Sequence, residues 1–215
     1  MKKIISLFTV FVLATVFSFA QSIGFRGILQ ISTSSLGDDF KYSFTQGESD
    51  KDVSATFDVG GGFALFAHVP ISNGWAFQGE LGFTHNVVGF EMKSGSVSAD
   101  GSLSYNTLNI PLLISYDIVI NETVTISPLA GLQFGFVLGD LTAEAMGLEE
   151  SASIDTAVLV GIITGAQASF FVGSGSIVVD VRSNIGLNAI KADDLEIARP
   201  FGFQLSVGYK ISFGS

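Results

Sequence analysis

The chain has no cysteine, which excludes both a disulfide framework and a lipid anchor attached through a thiol. Charge is scarce as well: 14% of the residues are Asp, Glu, Lys or Arg, against ~25% in ordinary soluble domains. What charge there is leans acidic, 20 Asp and Glu against 10 Lys and Arg. Such a chain gains nothing from phosphate backbones, so nucleic acid is excluded as a partner class. His68 and His85 are the only histidines, which leaves little material for a metal centre or histidine-based catalysis. After residue 21 there is no clean stretch of ~20 apolar residues of helix-forming character, so no further helix is expected to span a membrane.

What is present is hydrophobic. Apolar residues make up 47% of the chain, with 25 glycines and 20 phenylalanines, and the mean hydropathy is +0.52. A chain of this kind must either hide a large core or face lipid with strands. Its first residues indicate export. Met1-Lys2-Lys3 is basic, Ile4 to Phe19 is almost wholly apolar, and Ser18-Phe19-Ala20 offers a small-x-small cleavage site. The expectation is a signal peptide over residues 1–20 and one domain over 21–215. A retained membrane helix fits less well, because the apolar run is short for a span.

Alternation then selects strands. Segments of period two run approximately over 22–32, 53–69, 75–88, 104–116, 124–138, 156–171, 176–186 and 200–213. The last is the clearest: Phe201, Phe203, Leu205, Val207, Tyr209, Ile211 and Phe213 alternate with Gly202, Gln204, Ser206, Gly208, Lys210 and Ser212. Segment 156–171 is apolar on both faces, and its β-branched residues and glycines are what favour a strand there. Six charged residues lie inside these segments, Arg26, Asp58, Glu80, Asp180, Arg182 and Lys210, all on the face opposite the aromatic and branched side chains. One mis-phased charge on a lipid face costs roughly 2–4 kcal/mol at the bilayer midplane, so this sorting is what a membrane barrel requires. Three acids and three bases can pair, and the expectation is a lumenal charge network, with separate polar fillers as the alternative.

The connections alternate short and long. Brief turns fall at Pro70 to Gly74, Asp117 to Thr123 and Gly173 to Gly175, while residues 33–52, 89–103, 139–155 and 187–199 read as long polar loops holding fifteen of the twenty acids. Short periplasmic turns and long external loops are the pattern of outer-membrane barrels. An open sheet edge has no water to satisfy it in lipid, so the strands must close. The fold class read from the sequence is therefore all-β: an eight-stranded antiparallel up-and-down transmembrane β-barrel behind a signal peptide. Eight strands leave an interior that side chains fill, which argues against an aqueous channel. A soluble lipocalin-like barrel would need the Phe-rich face turned inward around a ligand.

Gly79-Glu80-Leu81-Gly82-Phe83, Leu108 to Tyr116 (LNIPLLISY), Ile126 to Gly131 (ISPLAG), Val179 to Leu187 (VDVRSNIGL) and Val207 to Phe213 (VGYKISF) occur in that order. Together they resemble the PorT-like outer-membrane β-barrel family over roughly Phe57 to Phe213. The resemblance implies an eight-stranded outer-membrane barrel and supplies no catalytic residues. One departure is Gly214-Ser215 after Phe213, where such barrels usually finish on an aromatic residue.

No constellation promises chemistry. His68 and His85 fall at opposite ends of the barrel, so a shared metal site is not expected, and His85 with a loop acid such as Glu91 lacks a placed nucleophile. Gly60-Gly61-Gly62 is no phosphate loop, since neither a helix nor Lys-Ser/Thr follows, and it reads as a bulge or tight bend. The acidic loops read as a solvated surface rather than a divalent-cation site. Trp75, Tyr116 and Tyr209 fall near strand ends, where amphipathic rings mark the membrane interface. Asn121-Glu122-Thr123 matches a glycosylation acceptor only formally. The expected function is non-enzymatic, without metal or cofactor: a structural, envelope-assembly or surface-interaction barrel, with lipid and possible envelope or surface proteins as partners. The alternatives are a small-solute porin and a lipocalin-like ligand binder.

Overall fold

The structure is a computed structural model and describes residues 20–36, 42, 51–94, 97–145, 147–152, 158–192 and 195–213. The segment read as a signal peptide lies outside the described residues except for Ala20. The strands are β1 (Ser22–Leu36), β2 (Lys51–Thr56), β3 (Asp58–Ser72), β4 (Trp75–Ser94), β5 (Val97–Tyr116), β6 (Ile118–Asn121), β7 (Val124–Ala145), β8 (Leu148–Ala152), β9 (Val158–Val172), β10 (Gly175–Gly186), β11 (Ile190–Ala192) and β12 (Leu195–Ser212). Eight of them, β1, β3, β4, β5, β7, β9, β10 and β12, form an antiparallel ring that the β1–β12 ladder closes from Ser22↔Ser212 to Leu36↔Ala198. The other four are short strands paired at the ends of this wall.

The ladder registers fix the geometry of the ring. Stepping from Gly135 through its successive partners Asn109, Gly82, Ala64, Arg26, Gly208, Val178 and Ser169 returns to β7 at Thr125, a stagger of ten residues. At ~3.3 Å per residue and ~4.8 Å between strands, that stagger over eight strands tilts them by about 40°. On the outward face of β4, Trp75 and His85 stand ten residues apart. At that tilt this is a rise of about 25 Å, the height of an outer-membrane apolar band.

Facing follows the period. Phe25 is 59% and Phe203 47% exposed, with Phe57, Phe63, Leu65 and Val207 likewise outward, whereas Arg182 is 3% exposed. The inverted facing that a lipocalin-like barrel needs does not occur. β9 is apolar on both faces because Ile163 points inward and packs with Leu113 and Leu129, while Ile162 faces out. Gly60 and Gly62 mark a close approach of β3 to β4: a Cβ at either would run into the backbone carbonyl of His85 or Phe83.

The loop reading needs correction at the outer end. Residues 89–94, 97–103, 139–145 and 148–152, assigned to loops, are strand, and so are 33–36 and 51–52. β4 and β5 stay paired up to Ser94↔Val97, and β7 pairs β8 from Leu141↔Ala152 to Ala145↔Leu148. The outer wall thus divides into a five-stranded ribbon, β2–β4–β5–β7–β8, and a three-stranded one, β11–β12–β1. Leu36, Ile190 and Ala198 of the smaller ribbon share one apolar core with Val53, Val88, Phe90, Leu103, Tyr105 and Leu141 of the larger. Water on both sides of a lone ribbon would leave no apolar face to read, but two ribbons facing each other restore one. The short inner connections are tighter than expected: residues 73–74, 122–123 and 173–174 are turns, whereas 70–72 and 118–121, read as connection, are strand, and Asn121 Oδ1 accepts from the Thr123 N–H at 2.9 Å.

Candidate functional site

The lumen is built in layers, and the lowest sits at the inner mouth. His68, near the end of β3, places Nε2 3.1 Å from Asp117 Oδ2 in the turn between β5 and β6. The Ser127 hydroxyl of β7 donates to Asp117 Oδ1 at 2.7 Å. Burial pushes the Asp117 carboxyl upward, but hydrogen bonds from His68 and Ser127, with the positive charges of His68 and Lys210, outweigh it and hold the group below its ordinary 3.8.

At mid-height four charged side chains meet. Glu80 takes Arg26 Nη2 at 2.6 Å on one side and Arg182 Nη2 at 2.9 Å on the other. Asp180 lies against both arginines, touching Arg26 Nη1 and standing 3.1 Å from Arg182 Nε. Gln78 donates to Glu80 Oε1 at 2.7 Å, and the Arg26 guanidinium stacks 4.4 Å over the Phe66 ring. All four charged groups are buried. Two cations alternating with two anions cancel the local charge, which is the condition for holding such groups away from water. The charged residues come from β1, β4 and β10, so no local sequence pattern brings them together.

Asp58 and Lys210 lie apart from these four. Asp58 Oδ1 accepts from the Val59 N–H at 2.7 Å near the outer end, and Lys210 acts on Asp117 at the inner mouth.

Room for the large plug residues comes from glycine. Gly208 faces Arg26, Gly165 faces Arg182 and Gly24 faces Phe66 across the ladders. A Cβ at Gly208 would stand 2.7 Å from Arg26 Cβ, one at Gly165 would stand 3.0 Å from Arg182 Cγ, and one at Gly24 would enter the Phe66 ring. These partners were readable as inward glycines; their pairing required the register.

Above the charges runs a girdle of amides and hydroxyls. Gln204 donates to Gln30 Oε1 at 2.9 Å and Gln30 to Asn86 Oδ1 at 2.9 Å. Asn86 and Asn109 each donate to Thr107 Oγ1 at 3.0 Å, and Gln133 closes the row on Asn109 Oδ1 at 3.0 Å. Beside the girdle is a cavity of about 40 Å³. Over both lies the apolar core of the outer ribbons. Sequence reasoning placed Gln204 on the inward face but missed Asn86, Thr107 and that core. The alternation Val88, Phe90, Met92 was its one available signal.

The outward aromatic residues stand near the strand ends. Trp75 and Tyr116 pair edge to face with centroids 5.1 Å apart at the inner rim, and the Tyr209 hydroxyl reaches the Val172 carbonyl at 3.4 Å. His85 pairs with Asn106 at 3.0 Å near the outer rim, well away from His68. Among the described residues no His, Cys, Asp and Glu cluster has the spacing of a metal site.

Residues 19–192 match the family described as "Outer membrane protein beta-barrel domain". Among solved structures, the outer membrane protein OprG of Pseudomonas aeruginosa is similar with a TM-score of 0.52 at 12% identity, covering 91% of this chain and 97% of that one. The attachment invasion locus protein Ail of Yersinia pestis aligns over 89% of this chain and 99% of its own, at 19% identity and a TM-score of 0.44. No curated protein matches the chain.

Proposed function

This chain belongs to the outer-membrane β-barrel family, and from that premise we propose that it is a non-enzymatic, non-conducting barrel working in surface interaction or envelope assembly. In this reading residues 1–20 direct its export and the chain is a PorT-like barrel, which the ordered motifs from Gly79 to Phe213 support. The observation that carries the proposal is the filled lumen. Arg26, Glu80, Asp180 and Arg182 pair across its middle, the amide girdle crosses above them, and the apolar core of the ribbons closes the outer end. An ion entering would have to break buried charge pairs, each costly to leave half-made. In this role the four-residue cluster is a lock, with Asp58 and Lys210 as outlying members at the two ends. The outer ribbons supply a rigid, strand-built surface, a better recognition platform than mobile loops because less ordering entropy is lost on binding.

The test is reconstitution of the folded barrel into planar bilayers at high salt. The expected result is no current above that of the bare membrane. Reproducible ohmic steps, abolished on thermal unfolding, would return the assignment to a small-solute channel.

A further inference from the structure

The motif LNIPLLISY sets Pro111 in the middle of β5, and neither the lock nor the girdle uses it. Proline has no N–H, so within sheets it is confined to edges, strand starts and bulges. Pro111 lies at none of these. It pairs with Gln133 in an unbroken β5–β7 ladder, with Ile110↔Phe134 and Leu112↔Leu132 on either side. The β4–β5 ladder is the one that breaks. It passes from Gly79↔Leu112 to Gly82↔Asn109 in one register, and pairs neither Glu80 with Pro111 nor Leu81 with Ile110. Successive residues of a strand turn their N–H and C=O groups to opposite neighbours. The donor that Pro111 lacks is therefore the one that would meet the Glu80 carbonyl. At this depth lipid offers a backbone acceptor no partner, and leaving it alone is costly.

Beside the gap lies a second, smaller cavity of about 10 Å³. Glu80 and Pro111, the two residues of the missing pair, both border it, together with Ala64, Gly82, Gln133 and Gln204. It thus sits between the lock, to which Glu80 belongs, and the girdle, to which Gln133 and Gln204 belong. A buried water needs ~10–15 Å³ and about two to four polar partners. The volume admits one water and nothing larger. Gln133 Nε2 gives one hydrogen to Asn109 Oδ1 and Gln204 Nε2 gives one to Gln30 Oε1, which leaves each amide nitrogen a second hydrogen to donate.

We propose that this cavity binds one ordered water, which donates to the Glu80 carbonyl in place of the N–H that Pro111 lacks and accepts from the Gln133 and Gln204 amides. A bridging water is nearly as good a partner as a direct hydrogen bond. Lock and girdle then share one member, and the wall is satisfied at its proline. The proposal stands whether or not the barrel conducts.

The experiment is a water-selective NOE measurement on the lipid-embedded barrel, read at the side-chain amide protons of Gln133 and Gln204. It is paired with the urea midpoints of Ala64→Thr and Ala64→Val. These two add the same bulk beside the cavity, so any crowding is common to both and only the hydroxyl differs. The native protein should give cross-peaks to a long-lived water. Ala64→Val should abolish them, and Ala64→Thr, whose hydroxyl takes over the water's bonds, should keep the higher midpoint of the two. Ala64→Ser adds a single atom and should fold in either case. With a water site its midpoint stays unchanged, whereas in a dry cavity the buried hydroxyl lowers it. The Thr84 and Thr107 hydroxyls, which relay magnetisation from bulk water, are the same in every variant. Absence of cross-peaks in the native protein, their survival in folded Ala64→Val, a Val midpoint equal to or above that of Thr, or a lowered midpoint in Ala64→Ser would each overturn the proposal.

Discussion

Arg26 and Gly208 face each other across the ladder that closes the barrel, and the glycine's missing Cβ is what lets the arginine turn into the lumen. The same exchange of bulk for space recurs at Arg182 with Gly165 and at Phe90 with Gly101. A barrel of this width is filled by alternating large and small residues, and the glycine-rich composition is the sequence-level trace of that packing.

Gly165→Ala tests this packing directly. The new Cβ would stand 2.9 Å from Arg182 Cα and would also run into the Val181 carbonyl. Overpacking of this kind should lower stability by about 1–3 kcal/mol, read as a shift in the urea midpoint for folding into lipid vesicles. An unshifted midpoint would mean that the lumen is less closely packed than described.

Glu80→Gln removes the carboxylate shared by both arginines. Breaking one partner out of a buried pair costs about 3–5 kcal/mol, so the variant should be among the least stable single substitutions of the lumen. Adding Arg182→Met, which removes one of the stranded cations, should recover part of the loss. Additive losses in the double variant would show that Glu80 and Arg182 act independently.

Lipid depth separates two otherwise similar phenylalanines. Phe25 lies on the outward face of β1 beside Arg26, level with the charge lock, and Phe57 lies at the outer end next to β2. Phe25→Arg should cost about 2–4 kcal/mol, the midplane penalty, while Phe57→Arg should cost no more than about 1 kcal/mol. Equal penalties, measured in the same vesicles, would contradict the height assigned to the band.

Acid should loosen the inner mouth. The Asp117 carboxyl is held below its ordinary 3.8 in the folded barrel. Its contribution is therefore complete above that value and is lost as pH falls through the lower, folded one. Asp117→Asn should flatten the decline in stability below about pH 4. An identical acid limb in both proteins would remove Asp117 from the account.

Much of the wall was legible in the chain. Phe25, Leu29 and Ile31 alternating with Arg26, Ile28 and Gln30 already separate lipid face from lumen, because the two faces of a strand differ by a single residue step. The places of the turns at residues 73–74 and 173–174 were readable for a similarly local reason, though not their bounds, since β3 runs on to Ser72. The outer ribbons were not, since Leu36 and Val53 become core only when Ile190 and Leu141 are brought over them. Outside the membrane their other faces are polar, and in sequence that looks like a loop.

Strand period, the facing of the six charged residues inside the predicted segments and the need for a closed wall were properties of the sequence alone, because each depends on neighbours two positions away and on the solvent each face meets. Which charges touch was decided by the tertiary structure. Arg26 and Asp180 are 154 residues apart, and only a ring closing with a ten-residue stagger brings them to one height. The glycines opposite Arg26, Arg182, Phe66 and Phe90, the girdle, the cavity beside it and the second core follow from that same closure, a long-range constraint that local sequence cannot carry.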